Sequence, residues 1–422
     1  MRSWRTPVAA LAALALITAA CGGDDDSGTA TTAAPAPETT EAPADDDTDD
    51  APAATDAPAA DADDDAPAAT AAPAEEMPAA GEYVPMEGLS GNLTGAGATF
   101  PNPVFQDWNF EYSGDIQPGV AINYQSIGSG GGIEQFLLQT VDYGVSERYL
   151  RDDALEEARA DRGCAAIQVP VLFGSVTVAF GDDQFDGLVL DSETISRIFQ
   201  RDITKYNDPA IAELNPDFDL PDTEIIPVHR SDGSGTTSVF TTYLDWAQGD
   251  GSGDFEGVEG STWALGNGTE VQWPAGTIGG QGNEGVTAGI EQNPGGLGYV
   301  NQAYALINQL PTAAVINSDG NAEQATIEAT TEALEVLEVP DSYQFDILGV
   351  GGGGFPITGA VWVFFYECGY EENTKNMLLD YWTWAIATDQ AINLATDLGY
   401  APLGSGLRGR VLETIQRIGI ED

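Results

Sequence analysis

From about Leu89 onward the hydrophobic pattern switches repeatedly between two periods. "GNLTGAG" reads as a short strand, and a glycine turn leads from it into a helix in which Val104, Phe105, Trp108 and Tyr112 recur at helical spacing. Pro101 and Pro103 suit the first turn of that helix, where N–H groups have no intrahelical use. "VAINYQS" reads as a second strand, followed by "IGSGGGIEQFLLQT", another glycine turn with an amphipathic helix. "VDYGVSERYL" alternates like a short strand ending in an acid, Glu147, and a polar helix is expected around Asp152 to Ala160. "CAAIQVPVLFGSVTVAF" is one of the longest apolar runs of the chain and reads as consecutive buried strands. "LDSETISRIFQ" has the form of a helix capped by Asp191 or Ser192.

The pattern repeats downstream. Glu224 to Val228 forms an apolar strand, Ser231 to Gly235 a turn, and Val239, Phe240, Tyr243 and Leu244 one face of a helix. Residues 249 to 260 read as a Gly- and Asp-rich surface loop. "GGQGNEGVTAGIEQNPGGLGYV" predicts a helix and then a strand, "GAVWVFFYE" a buried strand, and "MLLDYWTWAIA" and "GRVLETIQRI" the closing helices. Strands alternating with helices imply α/β architecture.

A strand, a glycine turn and a helix together aim unpaired N–H groups and a positive helix end at an anion. Arg230, one step before its turn, can add a permanent cation. An ordinary strand-to-helix turn with a surface arginine would look the same, so this motif alone does not decide.

The first 88 residues differ from the rest. Arg2 and Arg5 precede an apolar run from Val8 to Ile17, too short to span a bilayer, and small residues then lead to Cys21. Residues 1–20 resemble a lipoprotein signal peptide, with Cys21 lipidated; a plain secretory signal with an incidental cysteine is the alternative. Residues 21–88 are rich in Ala, Pro, Thr and Asp; beyond Cys21 they hold nineteen acidic residues and no Lys or Arg. Such a segment buries too little apolar surface to offset its chain entropy and is expected to be a disordered tether. A cell-wall spacer or a glycosylated stalk fits the same composition.

The chain of 422 residues carries 14 basic and 68 acidic residues, a formal net charge of -54, with lysine only at 205 and 375. That balance argues against nucleic acid or anionic lipid as a partner of any basic face. His229 is the only histidine and has no evident partner, so a His-based metal site or a Ser-His-Asp triad lacks its parts. No glycine turn continues into the Gly-Lys-Ser/Thr of a nucleotide-binding loop. No cofactor is expected. Once Cys21 is assigned, Cys164 and Cys368 remain at the ends of apolar strands, and outside the cell they are expected to pair.

"LTGAGATFPNPVFQDW", "INYQSIGSGGGIEQF", "VDYGVSE" and "RSDGSGTTSVFTTYL", with "GNEGVTAGIEQNPGGLGYV" and "FPITGAVWVFF", resemble the phosphate-binding proteins of Pst-type ABC importers. The resemblance runs from about Leu89 to the C-terminal helices. It implies a two-lobed, type II periplasmic-binding-protein-like fold with two hinge crossovers, near Ala179–Gly181 and Thr358–Val361. Lobe I would comprise 89–180 and 359–422, and lobe II 181–358. It implies a monomer that holds inorganic phosphate, closes on it and docks on an importer's permease, touching the membrane only through its lipid anchor. Carried over, Thr99 and Phe100 donate from one helix start and Ser129 from a second. Arg230, Ser234, Gly235 and Thr236 close from the other lobe, and Asp232 orients Arg230.

The family usually has aspartate where this chain has Glu147. A carboxylate there accepts a hydrogen bond from a proton that phosphate still carries and repels a fully ionised anion such as sulfate. Glutamate keeps the acceptor and adds a methylene, which leaves another tetrahedral oxyanion as an alternative ligand. A phosphatase using Ser129 or Ser234, or an adhesion or signalling protein, are further alternatives. With so acidic a chain, capture must come from local, desolvated hydrogen bonds, because salt screens longer-range repulsion beyond roughly 10 Å. Affinity is therefore expected to change little with ionic strength, and a steep salt dependence in calorimetry would contradict local capture.

Overall fold

The structure, a computed structural model, describes residues 83–248 and 262–420. The expected signal peptide, Cys21, most of the tether and the 249–260 loop lie outside the described residues.

The chain alternates as expected: β1 (Gly91–Gly97), α1 (Asn102–Glu111), β2 (Val120–Ser126), α2 (Ser129–Leu137), β3 (Tyr143–Ser146) and α3 (Asp152–Arg162). β4 (Ala166–Phe180) follows, then β5 (Val189–Leu190), α4 (Ser192–Phe199) and α5 (Pro209–Leu214). Next come β6 (Ile226–Arg230), α6 (Gly235–Gln248), β7 (Ile278–Gly280), α7 (Gly282–Glu291), β8 (Gly296–Asn301) and α8 (Gln302–Asn308). β9 (Ala314–Ile316), β10 (Ala322–Gln324), α9 (Ile327–Ala333) and β11 (Thr358–Tyr366) precede α10 (Glu372–Ala387), α11 (Asp389–Asp397) and α12 (Ser405–Ile415). The start of α4 shows how local chemistry sets a boundary. The Asp191 side chain accepts from Thr194 N–H at 2.7 Å, and Thr194 Oγ1 accepts from Asp191 N–H at 3.0 Å.

Eight strands form one sheet in the order β2-β1-β3-β11-β4-β8-β6-β7. β2, β1 and β3 are parallel, β11 and β4 run antiparallel through the middle, and β8 starts a second parallel set with β6 and β7. The apolar run expected as consecutive strands is a single strand of 15 residues. It pairs with β11 as far as Ser175 and with β8 from Val176 onward. The strand thus belongs to two half-sheets, and its partner changes within one residue step. All but its first residue are buried, so both faces are covered, which explains why the run shows no alternation. A three-stranded sheet, β10-β9-β5, lies apart.

One large core runs through both halves, from Trp108, Trp382 and Tyr143 to Phe199, Phe240 and Tyr299. Ordered packing starts earlier in sequence than Leu89. Asp380 on α10, almost fully buried, accepts hydrogen bonds from Tyr83 Oη (2.7 Å), Met86 N (2.8 Å), Tyr112 Oη (2.7 Å) and Gln117 Nε2 (3.0 Å). That hub ties residues 83–86 to the first half.

Cys164 and Cys368 form a disulfide, with Cα atoms 6.1 Å apart and a sequence separation of 204. It joins the chain just before β4 to the chain just after β11. Alkylation of the unfolded, non-reduced protein is expected to modify neither cysteine, and reduction to cost about 2–4 kcal/mol of stability. Two reactive thiols would contradict the pairing.

Candidate functional site

In open α/β sheets, ligands bind beyond the carboxyl ends of parallel strands. Five such ends converge here. β1 runs into Thr99 and Phe100, β2 into Gly128 and Ser129, β3 into Glu147, β6 into Arg230 and the turn before α6, and β7 into Gln281 to Asn283. The N–H groups of Phe100, Ser129, Gly235 and Thr236 find no acceptor among the described residues. All four residues are buried. Buried N–H groups are nearly always paired in native proteins, so donors left over at three helix starts mark an anion site.

The two halves meet closely around these donors. A Cβ at Gly235 would lie 2.5 Å from both Ser129 Oγ and Glu147 Cβ, so only glycine lets α6 approach that near. Gly130 N donates to Gly233 O at 2.9 Å, a backbone bond from α2 to the turn before α6. Thr99 Oγ1 accepts from Asn283 Nδ2 at 2.9 Å and from Asn283 N at 3.2 Å. Asn283 Nδ2 also reaches Thr236 Oγ1 at 3.3 Å.

Arg230 is only 3 % exposed. Its Nε donates to Asp232 Oδ1 at 2.8 Å, its Nη2 pairs with Asp232 Oδ2, and its Nη1 donates to Thr236 Oγ1 at 3.3 Å. Burial alone would lower the Arg230 pKa, but the Asp232 hydrogen bonds and charge outweigh it and raise it. For Asp232, burial works towards a higher pKa, and the bond and charge of Arg230 with the Gly282 N–H (3.0 Å) hold it below the usual carboxylate value. The guanidinium is therefore charged and fixed in direction.

Glu147 is the opposite case. It is 3 % exposed, and neither carboxylate oxygen completes a hydrogen bond among the described residues. Burial pushes its carboxyl up to about 8, partly offset by the nearby Thr236 hydroxyl and Arg230 charge and reinforced by Asp232. A buried acid with both oxygens unpartnered lacks a hydrogen-bonding group that a protonated oxyanion could supply.

Two expected residues have a further or different engagement. Ser234 Oγ accepts from Thr237 N at 3.1 Å and so caps α6, with its hydroxyl hydrogen left to donate. The Phe100 carbonyl accepts from Tyr400 Oη at 2.5 Å, which leaves the N–H as its donor. His229, expected to have no partner, has two: Nδ1 lies 2.8 Å from Arg230 O and Nε2 3.0 Å from Thr277 Oγ1. Its ring stacks on Trp273 at 4.8 Å, so it braces the end of β6. Asn283 went unrecognised as a site residue. It directly follows the glycine after β7, the same position at a strand end that the other candidates occupy, and that placement is the signal that could have found it.

A two-part curled sheet with anion donors from both parts defines a class, the solute-binding proteins, and the model of the PBP superfamily domain matches residues 39–389. Phosphate-binding protein PstS of Xylella fastidiosa is 35% identical over 325 residues, covering 75% of this chain and 82% of that protein. Its namesake in Pasteurella multocida is 34% identical over 321 residues, covering 74% and 86%. The chain belongs to this family of PstS phosphate-binding proteins. Among solved structures, a high-affinity periplasmic phosphate-binding protein with bound phosphate (PfluDING) superposes with a TM-score of 0.62 at 19% identity, covering 78% of this chain and 99% of that one. A phosphate-binding protein from Stenotrophomonas maltophilia gives 0.58 at 18%, covering 77% and 94%. At those identities the likeness is one of fold.

The Glu147 carboxyl has a pH signature. Its folded pKa of about 8 lies above the ordinary 4.5, so between those values the unfolded chain has lost a proton that the folded one keeps. Stability of the anion-free protein must then fall as pH rises through that window. Glu147→Gln is expected to flatten the decline in thermal midpoint from pH 5 to pH 8, on the order of the window set by that shift; an unchanged slope would show that Glu147 ionises freely.

Proposed function

We propose that this protein binds inorganic phosphate outside the cytoplasm and delivers it to an ABC-type importer by closing around it. The observation that carries this reading is the pairing of leftover N–H donors from both halves with a fixed cation, Arg230, and an unpartnered buried acid, Glu147. The donors suit the ionised oxygens of a tetrahedral anion, and Arg230 balances its charge. Glu147 suits the remaining oxygen, because one proton can be held between its carboxyl and the phosphate. Phosphate can bring that proton itself and meet an ionised Glu147, whereas sulfate brings none at neutral pH and is met only by a Glu147 that keeps its own.

Phe100, Ser129, Gly235 and Thr236 act through backbone N–H groups, with Thr99, Ser129, Ser234 and Thr236 hydroxyls beside them. Asp232 holds Arg230 in place, and Asn283 links Thr99 to Thr236 across the halves. Lobe I is 89–180 with 359–422 and lobe II is 181–358. A phosphate bridging both favours the closed form by its differential affinity, and that form is what the permease subunits receive. Lipidation of Cys21 anchors a monomer to the membrane, and the acidic tether gives it reach. Among the described residues no helix is long and apolar enough to cross a membrane. The Ser234 oxygen serves as the cap of α6 and His229 is held by Arg230 O and Thr277, an arrangement that supports holding an anion rather than hydrolysing an ester.

Calorimetry with phosphate, arsenate, sulfate and molybdate tests the reading, with Trp273 fluorescence as a second signal. Arg230→Ala is expected to lose about 3 kcal/mol or more of phosphate affinity, over roughly 100-fold, since it also strands Asp232. Glu147→Gln is expected to narrow the preference for phosphate over sulfate. Tight sulfate binding by the wild type would overturn phosphate as the ligand, and unchanged discrimination in Glu147→Gln would remove the assigned role.

A further inference from the structure

The residue after Glu147 is a second arginine, and its contacts differ in kind from those of Arg230. Its backbone N–H is held by Ser146 Oγ at 2.8 Å, and its guanidinium leaves the β3 end for the opposite half. There Nη1 donates to Ser238 Oγ at 2.6 Å. Ser238 lies one turn into α6 beyond Gly235 and is only 3 % exposed. Beside it, the Arg148 guanidinium sits 5.7 Å from the Tyr149 ring centroid, and Tyr149 Oη reaches Asp346 Oδ2 at 3.4 Å in the segment that leads back into β11. Arg148 of the first half therefore reaches α6 of the second, while Asp346 belongs to a stretch whose Tyr343 and Gln344 are bonded to Trp362 and Leu150 of the first.

We propose that Arg148 is a positioning residue that latches the two halves together when the site closes and does not touch the anion. The inference rests on the phosphate-binding reading. Two features separate a latch from a ligand. The Arg148 bond runs from one half to the other, whereas Arg230 is committed to Asp232 and Thr236 within its own half. The acceptor is a buried neutral hydroxyl on the helix that carries the anion donors, so the bond fixes α6 against the β3 end. Opening the halves breaks it and returns both groups to water, so its net worth is modest. A hydrogen bond from a charged group to a neutral one, half exposed, corresponds to roughly a tenfold effect.

A latch acts on the lifetime of the closed complex. Arg148→Met keeps the apolar stem and removes the charge; Ser238→Ala removes the acceptor. Each is expected to speed phosphate release about five- to tenfold in stopped-flow fluorescence and to leave association within about twofold. The double variant should be no worse than either single one, because both remove the same bond. Arsenate should lose affinity by the same factor as phosphate, and Arg148→Lys should recover part of the loss. Unchanged release, additive effects, or a salt-dependent fall in association would overturn the latch, the last by showing that Arg148 meets the anion itself. A wild-type protein that fails to bind phosphate sinks the functional reading alone. The latch is then read by small-angle scattering, where equal radii of gyration for wild type, Arg148→Met and Ser238→Ala overturn it.

Discussion

One strand has to serve two sheets. β4 is paired with β11 up to Ser175 and with β8 from Val176, and both sets of parallel strands are built outward from that spine. The constraint fixes where everything else can sit. The ends of β1, β2 and β3 face the ends of β6 and β7 because all of them take their direction from the same central strands. Helix starts that would otherwise be solvated turns are thus brought opposite one another, with glycines at 130, 233 and 235 wherever backbone meets backbone.

That convergence creates an electrostatic imbalance that the fold leaves standing. Several N–H groups, a buried guanidinium and a buried carboxyl share one small region. The guanidinium is held by Asp232, yet among the described residues the N–H groups of Phe100, Ser129, Gly235 and Thr236 find no acceptor and the Glu147 oxygens complete no hydrogen bond. The cost is borne by the large aromatic and aliphatic core that runs through both halves. Unsatisfied groups of this kind, stable only because the surroundings over-determine them, are what a binding site has that a structural turn lacks.

Much of this was legible in the sequence, for identifiable reasons. Glycine turns between a period-2 run and a period-3.6 run mark helix starts, and β1, α1, β2, α2 and α6 fall where that switch predicts. The helix cap at Asp191 is local chemistry and was readable as such. β4 was misread because a segment covered on both faces has no alternation to show whether it is one strand or two. Asn283, Arg148 and the Thr277 partner of His229 were hidden for another reason: their roles depend on residues 45 or more positions away, and no local period encodes that. The packing of Tyr83 and Met86 onto Asp380 was missed likewise, since composition around them resembles the acidic segment that precedes them.

The disulfide looks at first like a simple staple against unfolding. Its position gives it a second effect. β4 and β11 are the two strands by which the chain passes between the halves, and Cys164 with Cys368 joins them at the ends farthest from the change of partner. Everything between the two cysteines, which includes the whole passage of the chain through the second half, is therefore enclosed in one covalent ring, fastened to the first half at both its departure and its return.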